Sequence, residues 1–165
     1  MNKTIIGITL GVLVISGLIW LARPKPPGEG GIAAVSATSN GTLEVLEANN
    51  YDFGTISMAA GKVKHTFKIK NMSNEAVTVS KMYTSCMCTT AELITSDKRF
   101  GPFGMLSHGA IPKIDQAISP GEEADVEVIF DPAAHGPAGV GRIQRVVTIE
   151  NNAGQPVELS FAAVV

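Results

Sequence analysis

An alternation of apolar and polar residues with a period of two constrains the fold of this chain more than any other feature. Over residues 62–70, lysines and a threonine alternate with a second set of residues: Val63, His65, Phe67 and Ile69. Successive side chains of a β-strand point to opposite faces, so this pattern predicts a strand with one buried and one solvated face. We therefore expect Phe67 in the core and His65 as a half-buried packing residue.

The same period recurs along the chain after residue 42, with turn-forming residues between the apolar segments. No segment there has the period of an amphipathic helix. The pattern predicts an all-β fold: an immunoglobulin-like antiparallel β-sandwich of about seven to eight short strands. Besides 62–70, the predicted strands are 43–48, 51–57, 76–82, 88–94, 124–130, 142–150 and 157–165.

The N-terminal segment has a different character. Residues 4–22 form an uncharged, apolar run of 19 residues, which as a helix would span about 28 Å, close to the thickness of a bilayer core. Trp20 stands where a signal peptidase would need a small residue, so we favour an uncleaved anchor over a cleaved signal peptide. The predicted organisation is a transmembrane signal anchor (1–23), a Pro/Gly-rich linker (24–42) and a sandwich domain (43–165).

The charges beside the apolar run do not decide its orientation, because Lys3 on one side is balanced by Arg23 and Lys25 on the other. The short charged head before the run is typical of signal anchors that keep the N-terminus in the cytoplasm. We therefore expect a single-pass protein of the cell membrane with its C-terminal domain extracytoplasmic.

Charge and motifs exclude several functions. Without the three basic residues that flank the apolar run, ten of the 13 basic residues remain against 15 acidic ones, a net charge of −5. Such a domain is a poor nucleic-acid ligand, since phosphate contacts supply most of that affinity. Motifs for phosphate binding, serine hydrolysis or zinc proteolysis are absent from the sequence, so we expect neither an enzyme nor a small-molecule substrate.

Several short motifs together resemble the bacterial family called domain of unknown function 1573. They occur in the family's order: 52–56 (Asp-Phe-Gly-Thr-Ile), 65–67, 69–71, 84–89 (Thr-Ser-Cys-Met-Cys-Thr), 119–122 and 128–131. The resemblance covers about residues 43–165, and it implies an exported or surface-anchored sandwich, related to Hydin-type and major-sperm-protein-like modules, without an established activity. The chain departs from the family pattern in about twenty extra residues, which we expect to form an inserted loop at 97–117.

Five residues could form a soft-metal site. On a strand, Cys86 and Cys88 would face the same side with Cα atoms about 6.6–6.8 Å apart, the outer limit for a disulfide. The insert adds Met105 and His108, and a second glycine-flanked loop adds His135. Thiolate and thioether ligands favour copper(I), whereas zinc would use the two cysteines and two histidines.

Other interpretations of these residues stay open. The cysteines could be small core residues or a redox-active or structural disulfide, and the loop histidines could simply be solvated. The leading hypothesis for function is a non-enzymatic envelope module that binds another envelope protein or serves as architecture. The alternatives are a copper-binding or carrier module and a thiol–disulfide partner.

Overall fold

The computed structural model of the chain describes residues 43–106 and 110–165. Within these ranges the protein forms ten β-strands and two short 3-10 turns, with no α-helix. This confirms the all-β prediction. The strands are β1 (Leu43–Val45), β2 (Asn50–Thr55), β3 (Val63–Asn71), β4 (Val77–Thr84), β5 (Thr89–Ile94), β6 (Arg99–Phe103), β7 (Gln116–Ile118), β8 (Glu123–Phe130), β9 (Arg142–Asn151) and β10 (Val157–Val164).

The strands form two five-stranded sheets, in the orders β1-β3-β8-β5-β6 and β2-β10-β9-β4-β7. The expectation of a purely antiparallel sandwich is wrong at one pair, because β2 runs parallel to β10, with Tyr51 opposite Phe161. The reason is topological. After β2 the chain passes into the first sheet, and β10, which later pairs with β2 at the edge of the second sheet, takes its direction from its antiparallel pairing with β9.

The expected number of strands is also too low. Both additional strands involve the segment 97–117 that the sequence predicted as an inserted loop: β6 pairs with β5, and β7 pairs with β4. A glycine and a proline within β6 interrupt the period-two pattern, so the sequence does not predict this strand. Phe103 at its end is nevertheless buried in the core. Gly101 has φ +119°, and a Cβ atom there would lie 2.9 Å from the Ala91 carbonyl oxygen, so only glycine fits at this position.

The inner faces of the two sheets make one apolar core. Phe67 and Ile69 of β3 are buried in it, as the period-two pattern predicts. His65 is half-buried and stacks on Tyr51, with ring centroids 3.7 Å apart and an interplanar angle of 10°. The predicted packing role of His65 is therefore confirmed.

The outer face of the first sheet carries a ladder of ion pairs between neighbouring strands. The pairs are Lys64–Glu127, Lys68–Asp125, Lys70–Glu123, Arg99–Glu92 and Arg99–Glu127. Exposed pairs of this kind contribute little stability each. As a result, the lysines and the arginine of these pairs already have acidic partners within the chain.

The predicted membrane anchor (1–23) and linker (24–42) lie outside the described residues. In the part of the chain that is described, we find no helix with the length and apolar character needed to cross a membrane.

Candidate functional site

The Cys-x-Cys motif lies at one end of the sandwich, where the chain passes from one sheet to the other. β4 of the second sheet ends at Thr84, and β5 of the first sheet begins at Thr89, so Cys86 and Cys88 lie in the turn between them. The expectation that both cysteines sit on one strand is wrong. Hydrogen bonds within the turn explain the bend: the Thr89 amide donates to the Cys86 carbonyl oxygen over 3.1 Å.

The bend brings the two cysteines together. Their Cα atoms are 5.3 Å apart, well below the separation on an extended strand, and the two sulfur atoms form a disulfide. Thr84 supports the turn from beneath, since its buried hydroxyl lies 2.9 Å from the Cys86 carbonyl oxygen and 3.0 Å from that of Thr89. The disulfide was one of the alternatives left open by the sequence.

His135 reaches this turn from the loop between β8 and β9. The Asp131 amide donates to the Cys88 carbonyl oxygen over 2.8 Å, which fixes the start of the loop beside the Cys-x-Cys turn. The Asp131 carboxylate then accepts a hydrogen bond from the Ala133 amide over 2.9 Å and turns the chain back. As a result, Nε2 of His135 lies 3.2 Å from Sγ of Cys86.

Arg145 of β9 completes the surroundings of the two sulfurs. Its Nε donates to Sγ of Cys88 over 3.3 Å. No motif in the sequence marks this residue, although a signal exists: Arg145 has the same parity in β9 as the buried Val147 and Ile149. Arg145 is half-buried at this register: its Nε faces a cysteine sulfur, and its Nη1 donates to the Gln144 carbonyl oxygen over 2.8 Å.

The three groups lie close enough together to hold one metal ion. The two cysteine sulfurs and one ring nitrogen of His135 all lie within 4.8 Å of one another, and within the described ranges they are the one cluster of this kind. The cysteines are 9% and 3% exposed, respectively, whereas His135 is exposed. Two thiolates and an imidazole are a donor set for soft or borderline ions once the disulfide has been reduced.

The positions of the other two predicted ligands are described less fully. Met105 pairs through its backbone with Thr84, which puts it beside the β4 end of the Cys-x-Cys turn. His108 lies outside the described residues. The structure therefore brings together Cys86, Cys88 and His135, and the five-residue site stays a prediction.

Exposed apolar side chains are present in the loops at the same end of the sandwich. Met87, between the two cysteines, is 54% exposed, Leu106 after β6 is 56% exposed, and Val140 before β9 is 62% exposed. We call these three residues the apolar rim. Exposed apolar side chains at this end of the domain are available for contact with another protein, where their burial would be favourable.

The end of the domain that carries the apolar rim is also basic. Arg142 at the start of β9 is exposed, and Arg145 lies three residues further along the strand. Within the described residues, neither arginine forms a salt bridge, in contrast to the matched charges on the outer face of the first sheet.

The fold and this site together define a β-sandwich domain with a disulfide-linked Cys-x-Cys turn at one end. Residues 45–101 of the chain match the model of the family described as "Protein of unknown function (DUF1573)", which confirms the resemblance for that segment. The Cys-x-Cys turn and β1 to β5 lie largely within the matched segment. No curated protein sequence matches the chain.

Solved structures show a similar fold. A protein of unknown function from Porphyromonas gingivalis W83 has a TM-score of 0.56 and 16% sequence identity; the match covers 76% of this chain and 47% of that one. The chain thus corresponds to about half of that protein, and at this identity the likeness concerns the fold alone.

Weaker matches belong to proteins with different roles. One is the ASH / PapD-like domain 7 of human CEP192, with a TM-score of 0.44, 11% identity and coverage of 75% of this chain and 84% of that one. Another is the Vibrio cholerae VesB protease, with a TM-score of 0.47, 15% identity and coverage of 75% and 32%. At TM-scores below 0.5 neither match supports an argument about this domain.

Proposed function

We propose that this chain is a non-enzymatic, membrane-tethered module of the cell envelope whose extracytoplasmic domain binds another envelope protein through its Cys-x-Cys end. The observation that carries this proposal is the apolar rim. Met87, Leu106 and Val140 lie in loops at one end of the sandwich, and each residue is more than half exposed. Burying such side chains against a partner would yield a favourable hydrophobic contribution.

The charges indicate the chemistry of the partner. Arg142 and Arg145 lie at the same end without an acidic partner in the described part of the chain. A complementary surface would be apolar at its centre and would carry carboxylates around it. The outer face of the first sheet is a poorer candidate, since its lysines and its arginine already pair with neighbouring carboxylates.

Two features support the compartment and the tether. A disulfide between the chain's two cysteines is typical of an oxidising compartment outside the cytoplasm. The uncharged run at residues 4–22 has the length of a membrane-spanning helix.

The proposal can be tested with charged substitutions at matched positions. Met87→Glu places a carboxylate in the apolar rim, whereas Met72→Glu changes an equally exposed methionine, 55% against 54%, in the turn between β3 and β4 at the other end of the sandwich. In detergent-solubilised membranes of the native cells, the wild-type chain should migrate in a complex larger than the monomer. Met87→Glu and Val140→Glu should release the chain from it, and Met72→Glu should not.

Three outcomes would contradict the proposal. One is a complex that survives both substitutions in the apolar rim. Another is a complex that Met72→Glu disrupts equally. The third is a complex that mass spectrometry finds to contain only copies of this chain.

A second candidate function is the binding or carriage of a soft metal ion, with copper(I) preferred to zinc. The convergence of Cys86, Cys88 and His135 favours it, because their ligand atoms lie within 4.8 Å of one another. In the complete form of this candidate, Met105 and His108 add further ligands. Copper(I) titration of the reduced chain should then give weaker binding for both Met105→Leu and His108→Ala. Unchanged binding in both variants would limit the site to the three clustered residues.

A further inference from the structure

We propose that the Cys86–Cys88 disulfide is a redox gate on a copper(I) site formed by Cys86, Cys88 and His135, with Arg145 as its counter-charge. This inference rests on the second candidate function and adds to it a control mechanism, a minimal ligand set and a reason for ion selectivity. Three contacts carry it: the disulfide itself, His135 at 3.2 Å from Cys86 Sγ, and Arg145 at 3.3 Å from Cys88 Sγ.

The gate follows from the chemistry of sulfur. A soft cation binds thiolates. In the disulfide the two sulfurs are bonded to each other, so neither of them is a thiolate. The oxidised turn and the metal-bound turn are therefore mutually exclusive states of the same two residues. His135 contacts Cys86 in the oxidised state already, so reduction exposes a donor set whose third member is in place.

Opening and closing the gate each require a thiol or disulfide partner. In the opening step, a dithiol reductant supplies two electrons and two protons: the Cys86–Cys88 bond breaks, two thiols form, and the reductant leaves as its disulfide. Copper(I) then displaces the two thiol protons. In the closing step, a disulfide oxidant accepts two electrons from the two thiolates and takes up two protons from solvent to become a dithiol. The Cys86–Cys88 bond re-forms and copper(I) is released.

Arg145 explains why a monovalent ion suits this site. Two thiolates, one neutral imidazole and copper(I) carry a net charge of −1, which the guanidinium of Arg145 neutralises. The same ligands around zinc are already neutral, and Arg145 would leave an excess of +1. Because both cysteines are nearly buried, an unbalanced charge there is costly, and the arginine favours copper(I) over zinc.

Burial of the two cysteines also restricts which molecules can reduce the disulfide or accept the metal ion. Cys88 is 3% exposed and Cys86 is 9% exposed, while Met87 between them is 54% exposed. A partner that reduces the disulfide or accepts the ion must therefore approach the Cys86 side, where His135 lies at the surface.

The test uses the full chain in detergent under anaerobic conditions. One sample is reduced with dithiothreitol, which is then removed, and another is left oxidised. Each is titrated with copper(I) against a coloured copper(I) chelator. The reduced chain should bind about one ion, and the oxidised chain should bind none. Zinc, titrated in parallel, should bind the reduced chain more weakly than copper(I).

Variants then test the ligand set and the counter-charge. His135→Ala changes a residue in a surface loop and leaves both cysteines intact. It should weaken copper(I) binding about tenfold or more. Arg145→Gln should weaken copper(I) binding severalfold and reduce the ratio of copper(I) affinity to zinc affinity. Arg145→Lys, which retains the charge, should preserve most of the copper(I) affinity and most of that ratio. Circular dichroism of every reduced variant checks that the sandwich is intact.

The possible failures are distinguishable. Absence of copper(I) binding by the folded, reduced wild-type chain would overturn both the metal function and this inference. Equal binding by the reduced and oxidised chains would leave the metal function standing and overturn the gate. Unchanged binding in His135→Ala would overturn the ligand set, and equal effects of Arg145→Gln and Arg145→Lys would overturn the counter-charge role.

Discussion

Nε2 of His135 lies 3.2 Å from Sγ of Cys86, although 49 positions separate the two residues in the sequence. The pairing of β5 with β8 produces this contact. Thr89 is opposite Phe130, so the residues just beyond these strand ends, Cys88 and Asp131, are also neighbours and are joined by a backbone hydrogen bond. The site is thus built on the ends of paired strands, and changes that disturb the sandwich should be distinguished from changes that affect only the site.

Phe67 tests the assignment of the core. Phe67→Ala removes a ring that is 2% exposed between the sheets, and we expect the free energy of unfolding to fall by about 3–5 kcal/mol. Met72→Ala, at an exposed position, should change it by less than about 0.5 kcal/mol. Urea unfolding followed by circular dichroism measures both values. A loss below about 1 kcal/mol for Phe67→Ala would mean that the inner face of β3 is wrongly assigned.

Asn71 tests a buried polar network at the opposite end of the sandwich. Its Nδ2 donates to the Glu75 and Ile118 carbonyl oxygens, each over 2.8 Å, and its Oδ1 accepts from the Ser73 amide over 2.9 Å. Asn71→Ala leaves these backbone groups without their partner and should destabilise the domain by about 2–3 kcal/mol.

Asn74 provides the matched control for this change. It lies in the same turn but is exposed, so Asn74→Ala should alter the free energy of unfolding by less than about 0.5 kcal/mol. Equal effects at the two asparagines would show that the network of Asn71 adds nothing to stability.

His65 should make the stability of the domain depend on pH. Burial beside Tyr51 lowers the pKa of His65, and the negative charge of Glu47 opposes this effect only in part. The unfolded chain therefore binds a proton more readily than the folded one. This contribution to stability is complete above about pH 6.5 and is lost as the pH falls through that value towards the pKa of the folded state.

The variant His65→Gln isolates this contribution. Between pH 7.5 and pH 5.5, the free energy of unfolding of the wild type should fall more steeply than that of the variant. Urea unfolding at several pH values in this range measures the two slopes. Identical slopes would show that protonation of His65 is not linked to folding.

The N-terminal segment makes a prediction about the mature protein. If residues 1–23 form an uncleaved anchor, the protein should remain in the membrane pellet after carbonate extraction and should retain Met1 or Asn2 as its N-terminus. N-terminal sequencing and fractionation test this. A soluble form that begins near Thr38 would instead indicate a cleaved signal peptide.

The sequence predicts the sheets better than it predicts the site. The period-two pattern locates β3, β8, β9 and β10 to within a residue or two, because each has one face in the core. The pattern misses β6, because glycine and proline interrupt the alternation there. The pairing of β6 with β5 depends on a close approach of the two backbones, which only a glycine at position 101 allows. Strand direction at the β2–β10 edge is a property of the whole topology and leaves no local signal.

The site illustrates a similar limit. Cysteine spacing and the glycine-flanked loops point to Cys86, Cys88 and His135 together with Met105 and His108. The period-two pattern, however, suggests a strand where the hydrogen bonds of Thr84 and Thr89 make a turn. Arg145 enters the site through the pairing of β9 with β4, and its charge at an inward-facing register is interpretable only once its neighbours are known.

Binding of a partner through the Cys-x-Cys end of the domain is tested most directly by photo-crosslinking in the native cells. A photoreactive amino acid is placed at Met87 in one strain and at Met72 in another, two positions that are 54% and 55% exposed at opposite ends of the sandwich. We predict one discrete adduct with an envelope protein from position 87 and none from position 72. Adducts of equal yield from both positions, an adduct from position 72 alone, or none from either, would contradict the account.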